Sequence, residues 1–320
     1  MFSVVIPLYN KSHTIIWTLN SILNQTFNDF EILIINDGST DDGINKIQNF
    51  TIDSRIKIIE QDNQGVSAAR NKGVAFANYE YIAFLDADDE WLPTYLEKMK
   101  YAIDMYPNSE MFCSAGLGRN GDGILNKRQI NKLDGKVLPF NFFENPHVFL
   151  HIGSTVVTRN LFEKVMGFPI GMRRNEDFAF LYSAALFTNP IYSGFPTMVY
   201  VGGVAGQSTS VNLKDNWNLV DDVIKRFDIT YRNWVKSGST NTSYISFMKY
   251  ELRHGFMVNI YNNEFKTNIY FLKNLNFNIL DNLNLFDRFF LKNSYLKILG
   301  IAYFKLSKIQ WFMNGYQRVK

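Results

Sequence analysis

The chain has 320 residues, of which 46% are hydrophobic and 20% are charged. This composition excludes a largely disordered protein and suits one large or two modest domains with a sizeable core. A single cysteine, Cys113, excludes an internal disulfide framework and indicates a reducing compartment. The first residues lack the basic and apolar regions of a secretion signal, and no stretch reaches the ~18 apolar residues of a membrane span. We therefore expect a cytoplasmic protein.

The charge is unevenly distributed along the chain. The net charge is +3, yet residues 265–320 carry nine Lys/Arg and only two Asp/Glu. Helical projection of residues 284–298 places five apolar side chains in one arc: Leu285, Phe286, Phe289, Phe290 and Leu296. Two hypotheses remain open for this basic, aromatic tail. Its helices could dock on the anionic inner face of a membrane, or they could form a helical subdomain that packs on the rest of the chain or on a second subunit.

The first 106 residues alternate between apolar strand patterns and helical patterns. Strands are predicted at 2–8, 30–36, 55–60 and 81–85. Helices are predicted from Asn10 or Ser12 to 24, and at 41–50, 65–77 and 93–106. Continuous apolar strands that alternate with helices indicate a parallel sheet covered on both faces.

Polar segments follow three of these strands directly. They are residues 9–10, 37–40 and 86–89. Because ligands bind at the carboxyl ends of parallel strands, we expect the functional site at this edge of the sheet.

The later chain is predicted as a mixed part followed by a helical part. Strands are expected at 111–118 and 152–158, and helices at 160–165 and 176–187. From about residue 206 to the end the pattern is mostly helical.

The carboxylates after the fourth strand are candidates for metal binding. Asp86 and Asp88 are two residues apart, so both side chains can project toward the same rim and bind Mg²⁺ or Mn²⁺ together with a diphosphate. Alternatively, Asp88 or Asp89 caps the next helix.

Two further residues are candidates for contacts with a nucleotide. Asp37 could accept hydrogen bonds from a nucleobase or ribose, or could be a turn residue. Arg70 could contact a base or phosphate, or could be a solvated helix charge.

Six segments occur in one order over these first residues. They are VVIPLYN (4–10), SILNQT (21–26), FEI (30–32), NDGSTD (36–41), GVSAARN (65–71) and FLDADD (84–89). In this order the chain resembles the family 2 glycosyltransferases, which are inverting enzymes of the GT-A fold. The resemblance continues more loosely through 158–168 to 175–177. Asn36 stands where many members have a first aspartate.

The resemblance implies an α/β fold of the GT-A type, a Rossmann-like, mostly parallel sheet flanked by helices, with a mostly helical C-terminal region. We expect residues 1–110 to form the half that binds the nucleotide sugar. Residues 111–208 would form the half that binds the acceptor. Residues 209–320 would form the helical region, which is a candidate for docking to a membrane or to another subunit.

The resemblance also implies a set of donor-binding residues. They are Pro7, Leu8, Tyr9, Asp37, Arg70, Asp86, Ala87 and Asp88. The first three would line the base and ribose, Asp37 would hydrogen-bond the base, and Arg70 would help to enclose it. Asp86-Ala87-Asp88 is similar to the family's DxD motif, so Asp88, with Asp86, would bind Mn²⁺ or Mg²⁺.

Glu176-Asp177 matches the late acidic pair of the family, whose aspartate is usually the catalytic base. An acceptor hydroxyl must lose its proton as it attacks the anomeric carbon, and a carboxylate at a helix start is rigidly placed to receive it. Asp177 is therefore the expected base and Glu176 the alternative. The pair could instead only complement the helix dipole.

Three further residues are candidates for acceptor binding. His151 could face the acceptor or could cap a strand. Arg173 and Arg174 could contact an acceptor phosphate or could be exposed to solvent.

The sequence therefore predicts a metal-dependent inverting glycosyltransferase that uses a nucleotide sugar, most simply a UDP-sugar. Its acceptor would be a hydroxyl of a glycan or of a lipid-diphosphate-linked saccharide in bacterial surface-polysaccharide synthesis, of the O-antigen or capsule kind. An anionic membrane surface and a second copy of the chain are candidate partners, and nucleic acid is not expected. The alternatives are a non-catalytic nucleotide-sugar-binding scaffold and a sugar-nucleotide pyrophosphorylase. A dinucleotide-dependent dehydrogenase is disfavoured because no G-x-G-x-x-G follows the first strand.

Overall fold

The computed structural model describes residues 1–119, 123, 125–128, 131–145, 148, 150–204, 217–293 and 296–313. The chain divides into two compact units. Unit 1 comprises Met1–Phe140 and Val148–Asn212, and unit 2 comprises Asn141–His147 and Leu213–Val319.

Unit 1 is built on one sheet that contains ten strands within the described residues. The strands are β1 (Phe2–Leu8), β2 (Phe30–Asp37), β3 (Ile56–Gln61), β4 (Tyr81–Phe84), β5 (Glu90–Trp91), β6 (Met111–Arg119), β7 (Leu125–Arg128), β8 (Val137–Pro139), β9 (Thr155–Thr158) and β10 (Ile191–Val201). The main path runs β3-β2-β1-β4-β9-β6-β10-β5, with β7 beside β6 and β8 beside β10. Strands β1 to β4 are parallel to one another, and β10 is parallel to β6. Strand β9 is antiparallel to both β4 and β6.

Six α-helices lie in the described part of unit 1. They are α1 (Ile15–Leu23), α2 (Gly43–Phe50), α3 (Val66–Phe76), α4 (Tyr95–Met105), α5 (Arg159–Lys164) and α6 (Glu176–Ala185). The side chains of β1 and β2 are almost all buried, as expected for strands covered on both faces. Helix α3 lies close to β1 because Gly73 has no Cβ, and a Cβ there would overlap Val5. The predicted alternation of strands and helices over the first 106 residues is confirmed.

The structure differs from the sequence prediction in the later part of unit 1. Residues Ile152–Ser154 form a turn of 3₁₀ helix, so β9 begins only at Thr155. The 11-residue strand β10 was not predicted. Its pairing with β6 shifts register between Ser193 and Met198, around Pro196, and it is buried on both faces over much of its length. Both features hide the alternating pattern by which a strand is identified in a sequence.

Unit 2 is helical, as predicted for the end of the chain. Its helices are α7 (Trp217–Lys236), α8 (Ser243–Tyr261), α9 (Phe265–Asn274), α10 (Phe277–Leu280), α11 (Leu285–Lys292) and α12 (Lys297–Met313). Helix α11 starts with a capping box, in which Asn284 and Asp287 exchange backbone-to-side-chain hydrogen bonds. Asp287 is fully buried and bonded through both carboxylate oxygens to Arg253, at 2.9 Å each. Among the described residues of both units, none of the helices has the length and hydropathy needed to cross a bilayer.

Candidate active site

Two hydrogen bonds hold the loop of the predicted DxD motif, residues 86–88, at the carboxyl end of β4. The buried hydroxyl of Thr14 donates to the carbonyl oxygen of Ala87 at 2.8 Å. The buried hydroxyl of Thr18 donates to the carbonyl oxygen of Asp89 at 2.9 Å. Thr14 precedes α1 and Thr18 lies on it, so this helix anchors the backbone of the loop that carries Asp86, Asp88 and Asp89.

Arg70 joins two acidic residues that are distant in sequence. Its Nη2 donates to Asp86 Oδ1 at 2.6 Å, and its Nη1 donates to Glu176 Oε1 at 3.2 Å. The guanidinium is 3% exposed and lies 5.1 Å from the centre of the Phe168 ring. Burial opposes its charge, but the two carboxylates raise the pKa of Arg70 above its ordinary value. The structure thus brings α3, the DxD loop and the start of α6 to one place.

A cluster of aromatic side chains packs beside Arg70. Phe168 stacks on Phe180 with ring centres 4.2 Å apart, and both rings pack against Phe84 of β4. Asn71 holds the same segment from α3, since its side chain donates to the carbonyl oxygen of Phe168 at 2.9 Å and accepts from the Phe168 N–H at 2.8 Å. Asn71 lies in the GVSAARN segment, but sequence reasoning assigned it no role.

Asp88, the second DxD carboxylate, is paired with a lysine. Lys11 Nζ lies 2.7 Å from Asp88 Oδ2, and the two side chains are only 15% and 12% exposed. Lys11 follows the VVIPLYN segment directly, at the carboxyl end of β1. A cation that binds Asp88 must therefore compete with an ammonium group. Sequence reasoning did not find this pair, because the two residues are 77 positions apart and no spacing rule connects them.

A second group of possible metal ligands lies beside the DxD motif. Asp86, Asp89 and His151 each offer one ligand atom, and these atoms lie within 4.8 Å of one another. Asp89 is almost fully buried; burial raises the pKa of its carboxyl well above the ordinary value, and Asp86 and Asp88 add to that shift. Burial likewise opposes the ionisation of Asp86, but Arg70 and His151 lower the pKa of Asp86 below its ordinary value. The candidate set for a metal is thus wider than the Asp86 and Asp88 that were predicted.

The hydrogen bonds of His151 indicate which of its ring nitrogens carries the proton. Burial lowers its pKa, although Asp86 and Asp177 favour the protonated ring. Its Nδ1 accepts the N–H of Gly153 at 3.1 Å, so we place the proton of the neutral ring on Nε2, which lies 3.8 Å from Asp89 Oδ2. To bind a metal through Nε2, the proton would have to move to Nδ1 and the contact with Gly153 would open. The carboxylate oxygens need no such change, so they fit Mn²⁺ or Mg²⁺ better than the imidazole does.

The predicted acidic pair lies at the start of α6. Asn175, in the left-handed conformation with φ 62°, precedes the helix. Burial and the adjacent Asp177 raise the pKa of Glu176 to about 7, while Arg70 opposes the shift. Asp177 is half-buried, and its Oδ1 accepts the N–H of Phe178 at 2.7 Å. The two acidic residues therefore differ, because Glu176 accepts a hydrogen bond from Arg70 at 3.2 Å, whereas Asp177 acts on Arg70 through its charge.

The residues predicted to bind the nucleotide occupy the ends of β1 and β2. Tyr9 is 47% exposed and Pro7 is partly buried, whereas the side chain of Leu8 is fully buried in the core. A contact of Leu8 with the base and ribose is therefore restricted to its backbone. Asp37 is 3% exposed and accepts hydrogen bonds from Gln61 and from the N–H groups of residues 64 and 65, at 2.6 to 2.8 Å. In this structure Asp37 shapes the loop before α3.

The remaining predicted residues lie in the segment before α6. Arg173 is exposed and Arg174 is partly buried, and they precede Asp177 by four and three residues. Their predicted contact with an acceptor phosphate stays a prediction.

The strand order and the acidic residues after β4 are those of an α/β fold of the GT-A type. The structure is similar to that of S. aureus TarS 1-349 in complex with UDP-GlcNAc, with a TM-score of 0.73 over 97% of this chain and 91% of that chain. The sequence identity is 18%, so the likeness concerns the fold. The GT-A fold predicted from the sequence is confirmed.

The sequence profile of glycosyl transferase family 2 matches residues 3–166, slightly more than half of the chain, and the protein belongs to that family. An uncharacterized glycosyltransferase of Rickettsia bellii is 34% identical over 178 residues, which are 55% of this chain and 25% of that protein. The putative glycosyltransferase EpsH of Bacillus subtilis is 43% identical over 98 residues, 30% of this chain and 28% of that protein.

A third relative has a more detailed name. The Escherichia coli UDP-Glc:alpha-D-GlcNAc-diphosphoundecaprenol beta-1,3-glucosyltransferase WfgD is 39% identical over 98 residues, 30% of this chain and 38% of that protein. This chain therefore covers well under half of the length of each of these three relatives.

Proposed function

We propose that this protein is an inverting glycosyltransferase that moves a sugar from a nucleotide sugar to a hydroxyl group of a glycan or lipid-linked acceptor. The observation that carries the proposal is the group of five acidic side chains that the loop after β4 and the start of α6 bring together, beside two buried or partly buried cations. The carboxylates are those of Asp86, Asp88, Asp89, Glu176 and Asp177, and the cations are Arg70 and Lys11. Such a site attracts a divalent cation and, with it, a diphosphate.

The donor we propose is a UDP-sugar. Two of the similar TarS structures are complexes with UDP-GlcNAc and with UDP, and WfgD is named for UDP-Glc. Pro7, Tyr9 and the backbone of Leu8 would line the base and ribose at the end of β1. The carboxylate of Asp37 already accepts three hydrogen bonds from its loop, and its remaining lone pairs would accept a hydrogen bond from the base. Arg70 would help to enclose the base.

A divalent cation, Mn²⁺ or Mg²⁺, would be held by Asp88 and Asp86, with Asp89 as a further ligand. The donor set of carboxylate oxygens suits either ion. When bound, the cation would neutralise the negative charge that grows on the leaving diphosphate. Thr14 and Thr18 would keep these carboxylates in place through their hydrogen bonds to the backbone of the loop.

Asp177 would act as the general base. It would accept the proton of the acceptor hydroxyl as that oxygen attacks the anomeric carbon on the side opposite the departing nucleoside diphosphate. Glu176 is less suited to this role because it is already bound to Arg70, which fixes its orientation. Arg173, Arg174 and His151 would contact the acceptor.

The setting we propose is bacterial surface-polysaccharide synthesis at the inner face of the cell membrane. The name of WfgD, which specifies a diphosphoundecaprenol-linked acceptor, supports this setting. We also propose that residues 1–110 form the donor half, residues 111–208 the acceptor half and residues 209–320 the helical region, as predicted from the sequence.

The proposal is tested with a panel of nucleotide sugars in the presence of Mn²⁺. We expect a UDP-sugar to raise the melting temperature, because a ligand that binds the folded protein stabilises it. We also expect slow hydrolysis that releases UDP. The Asp88→Asn variant should lose the Mn²⁺-dependent part of the stabilisation, whereas Asp104→Asn on the surface of α4 should not. Release of pyrophosphate, or a flat response to every nucleotide sugar, would contradict the proposal.

A further inference from the structure

Helix α11 turns apolar side chains toward solvent. Leu285, Phe286 and Phe289 are 84%, 65% and 48% exposed. At about 100° per residue these three side chains lie within one arc of about 100°. The opposite side of the helix carries Asp287 and Leu291, which are fully buried. The apolar arc is therefore not the face that packs on unit 2.

Helix α12 shows the same reversed pattern. Ile298, Leu299, Leu306 and Ile309 are 83%, 59%, 65% and 48% exposed. They too fall within about 100° of the helix circumference, while Phe304 on the other side is buried. Seven large apolar side chains are thus displayed by two neighbouring helices, which is more than scattered surface residues account for.

The two arcs adjoin each other. Phe290 stacks on Tyr303 with ring centres 5.0 Å apart, and Phe286, itself part of the exposed arc, lies 6.2 Å from Tyr303. These contacts hold α11 against α12. We call the combined exposed arcs the α11–α12 face.

The exposed charges that α11 and α12 themselves carry have one sign. Between residues 285 and 313 the sequence contains a single acidic residue, Asp287, and that carboxylate is buried and bound to Arg253. Lys292 and Lys305 are exposed and each lies at the edge of the apolar arc of its helix, about 20° beyond it. Lysines at the rim of an apolar face can extend to lipid headgroups while the apolar side chains enter the acyl boundary.

We propose that the α11–α12 face docks on an anionic lipid bilayer, with the helices lying in the plane of the interface. A symmetric contact between two copies would bring the lysines of both copies together, which is unfavourable, whereas anionic headgroups complement them. The proposal extends the proposed function, because a lipid-linked acceptor lies at such a surface. It is argued from unit 2 alone and does not require the transferase activity.

The test is flotation of the full chain with vesicles in the absence of nucleotide sugar. We expect the protein to float with vesicles of phosphatidylcholine and phosphatidylglycerol, and much less with phosphatidylcholine alone. The Lys292→Gln, Lys305→Gln double variant should bind about 25-fold more weakly, since each lysine near an anionic surface contributes about a fivefold effect. The matched control is Lys266→Gln, Lys273→Gln, which removes two exposed lysines of α9 and should bind like the wild type.

A second variant tests the apolar part. Leu285→Gln, Ile298→Gln and Leu306→Gln change three highly exposed side chains, so the fold should persist, which circular dichroism checks. We expect flotation to be lost. Ile52→Gln, at a position 99% exposed in unit 1, is the control. Absence of flotation by the wild type, or flotation that both variants retain, overturns the proposal.

Light scattering of the same proteins tests the alternative that the α11–α12 face is a subunit interface. A wild-type dimer that does not float, and that the triple variant converts to a monomer, would show that this face is a subunit interface and would overturn the proposal. UDP release by the wild type in detergent-free solution is measured in parallel. Its failure would contradict the proposed function and leave the flotation result unaffected.

Discussion

Lys11 Nζ lies 2.7 Å from Asp88 Oδ2, so an ammonium group from the end of β1 already neutralises the second DxD carboxylate. Arg70 does the same for Asp86, at 2.6 Å. Each of the two carboxylates that are expected to hold a divalent cation therefore has a cation of its own in the free protein. A metal bound to these carboxylates would have to share them with Lys11 and Arg70, whose positive charges oppose it.

The first prediction concerns Lys11. We expect Lys11→Met to bind Mn²⁺ at least about tenfold more tightly in the absence of nucleotide, because a positive charge within about 5 Å of a divalent cation opposes it by several kcal/mol even at an effective dielectric constant of about 20. Electron paramagnetic resonance of free Mn²⁺ measures the affinity. Lys100→Met, which removes an exposed ion pair on α4, is the control and should leave the affinity unchanged. Equal affinities in wild type and Lys11→Met would refute this role of Lys11.

The second prediction concerns Arg70. Replacing it with methionine leaves Asp86 and Glu176 without their buried partner, so the free energy of unfolding should fall by about 3–5 kcal/mol. Arg55→Met is the control: Arg55 and Asp53 are 27% and 24% exposed, and its effect should be at most about 1 kcal/mol. Urea denaturation measures both. Similar losses in the two variants would show that the Arg70 pairs do not stabilise the fold beyond a surface pair.

The third prediction separates the two acidic residues of α6 and rests on the proposed function. Asp177→Asn should lower kcat about 100- to 10,000-fold, the usual contribution of a general base. Glu176→Gln should lower it less, because Gln can still accept a hydrogen bond from Arg70. UDP release in the presence of donor and acceptor gives the rates. Undiminished turnover in Asp177→Asn would exclude Asp177 as the base.

The fourth prediction is a pH dependence of stability. In the folded protein the pKa of Glu176 is raised from 4.5 to about 7, so the folded state binds this proton more tightly than the unfolded state does. Its stabilising contribution is fully present below about pH 4.5 and is lost as the pH rises through about 7. The loss is about 3 kcal/mol, because each pKa unit corresponds to about 1.4 kcal/mol.

The measurement compares wild type with Glu176→Gln by urea unfolding between pH 5 and pH 8. We expect the stability of the variant relative to wild type to increase as the pH rises. Glu163→Gln, at an exposed position of α5, serves as the control and should follow the wild type throughout. A constant difference between wild type and Glu176→Gln would show that Glu176 does not titrate in this range.

Local patterns were sufficient to predict most of unit 1. Strands β1 to β4 were found within one or two residues, because β1, β2 and β4 are mostly apolar runs followed by polar segments and β3 is rich in isoleucine. Strand β10 was missed, since Pro196 and the register shift interrupt its pattern. The expected strand at 152–158 was too long by three residues, because His151 Nδ1 accepts the Gly153 N–H and the chain turns there.

The candidate site was predicted as a set of residues but not as a set of contacts. Asp86, Asp88, Glu176 and Asp177 were identified from motifs, and their roles stay predictions. Lys11 and Asn71 were not singled out, because their partners Asp88 and Phe168 are 77 and 97 positions away. Leu8 was expected to line the nucleotide, whereas burial leaves only its backbone for that contact.

By itself the amino-acid sequence determined the order of strands and helices, the family, and the carboxyl ends at which acidic side chains collect. These depend on periodicity and on short motifs, which act over a few neighbouring residues. The tertiary structure decided which charges neutralise one another, as in the pairs of Arg70 with Asp86 and Glu176. It also decided that the apolar residues of α11 and α12 point outward. Both outcomes depend on which distant segments the fold brings into contact, and no local pattern records that.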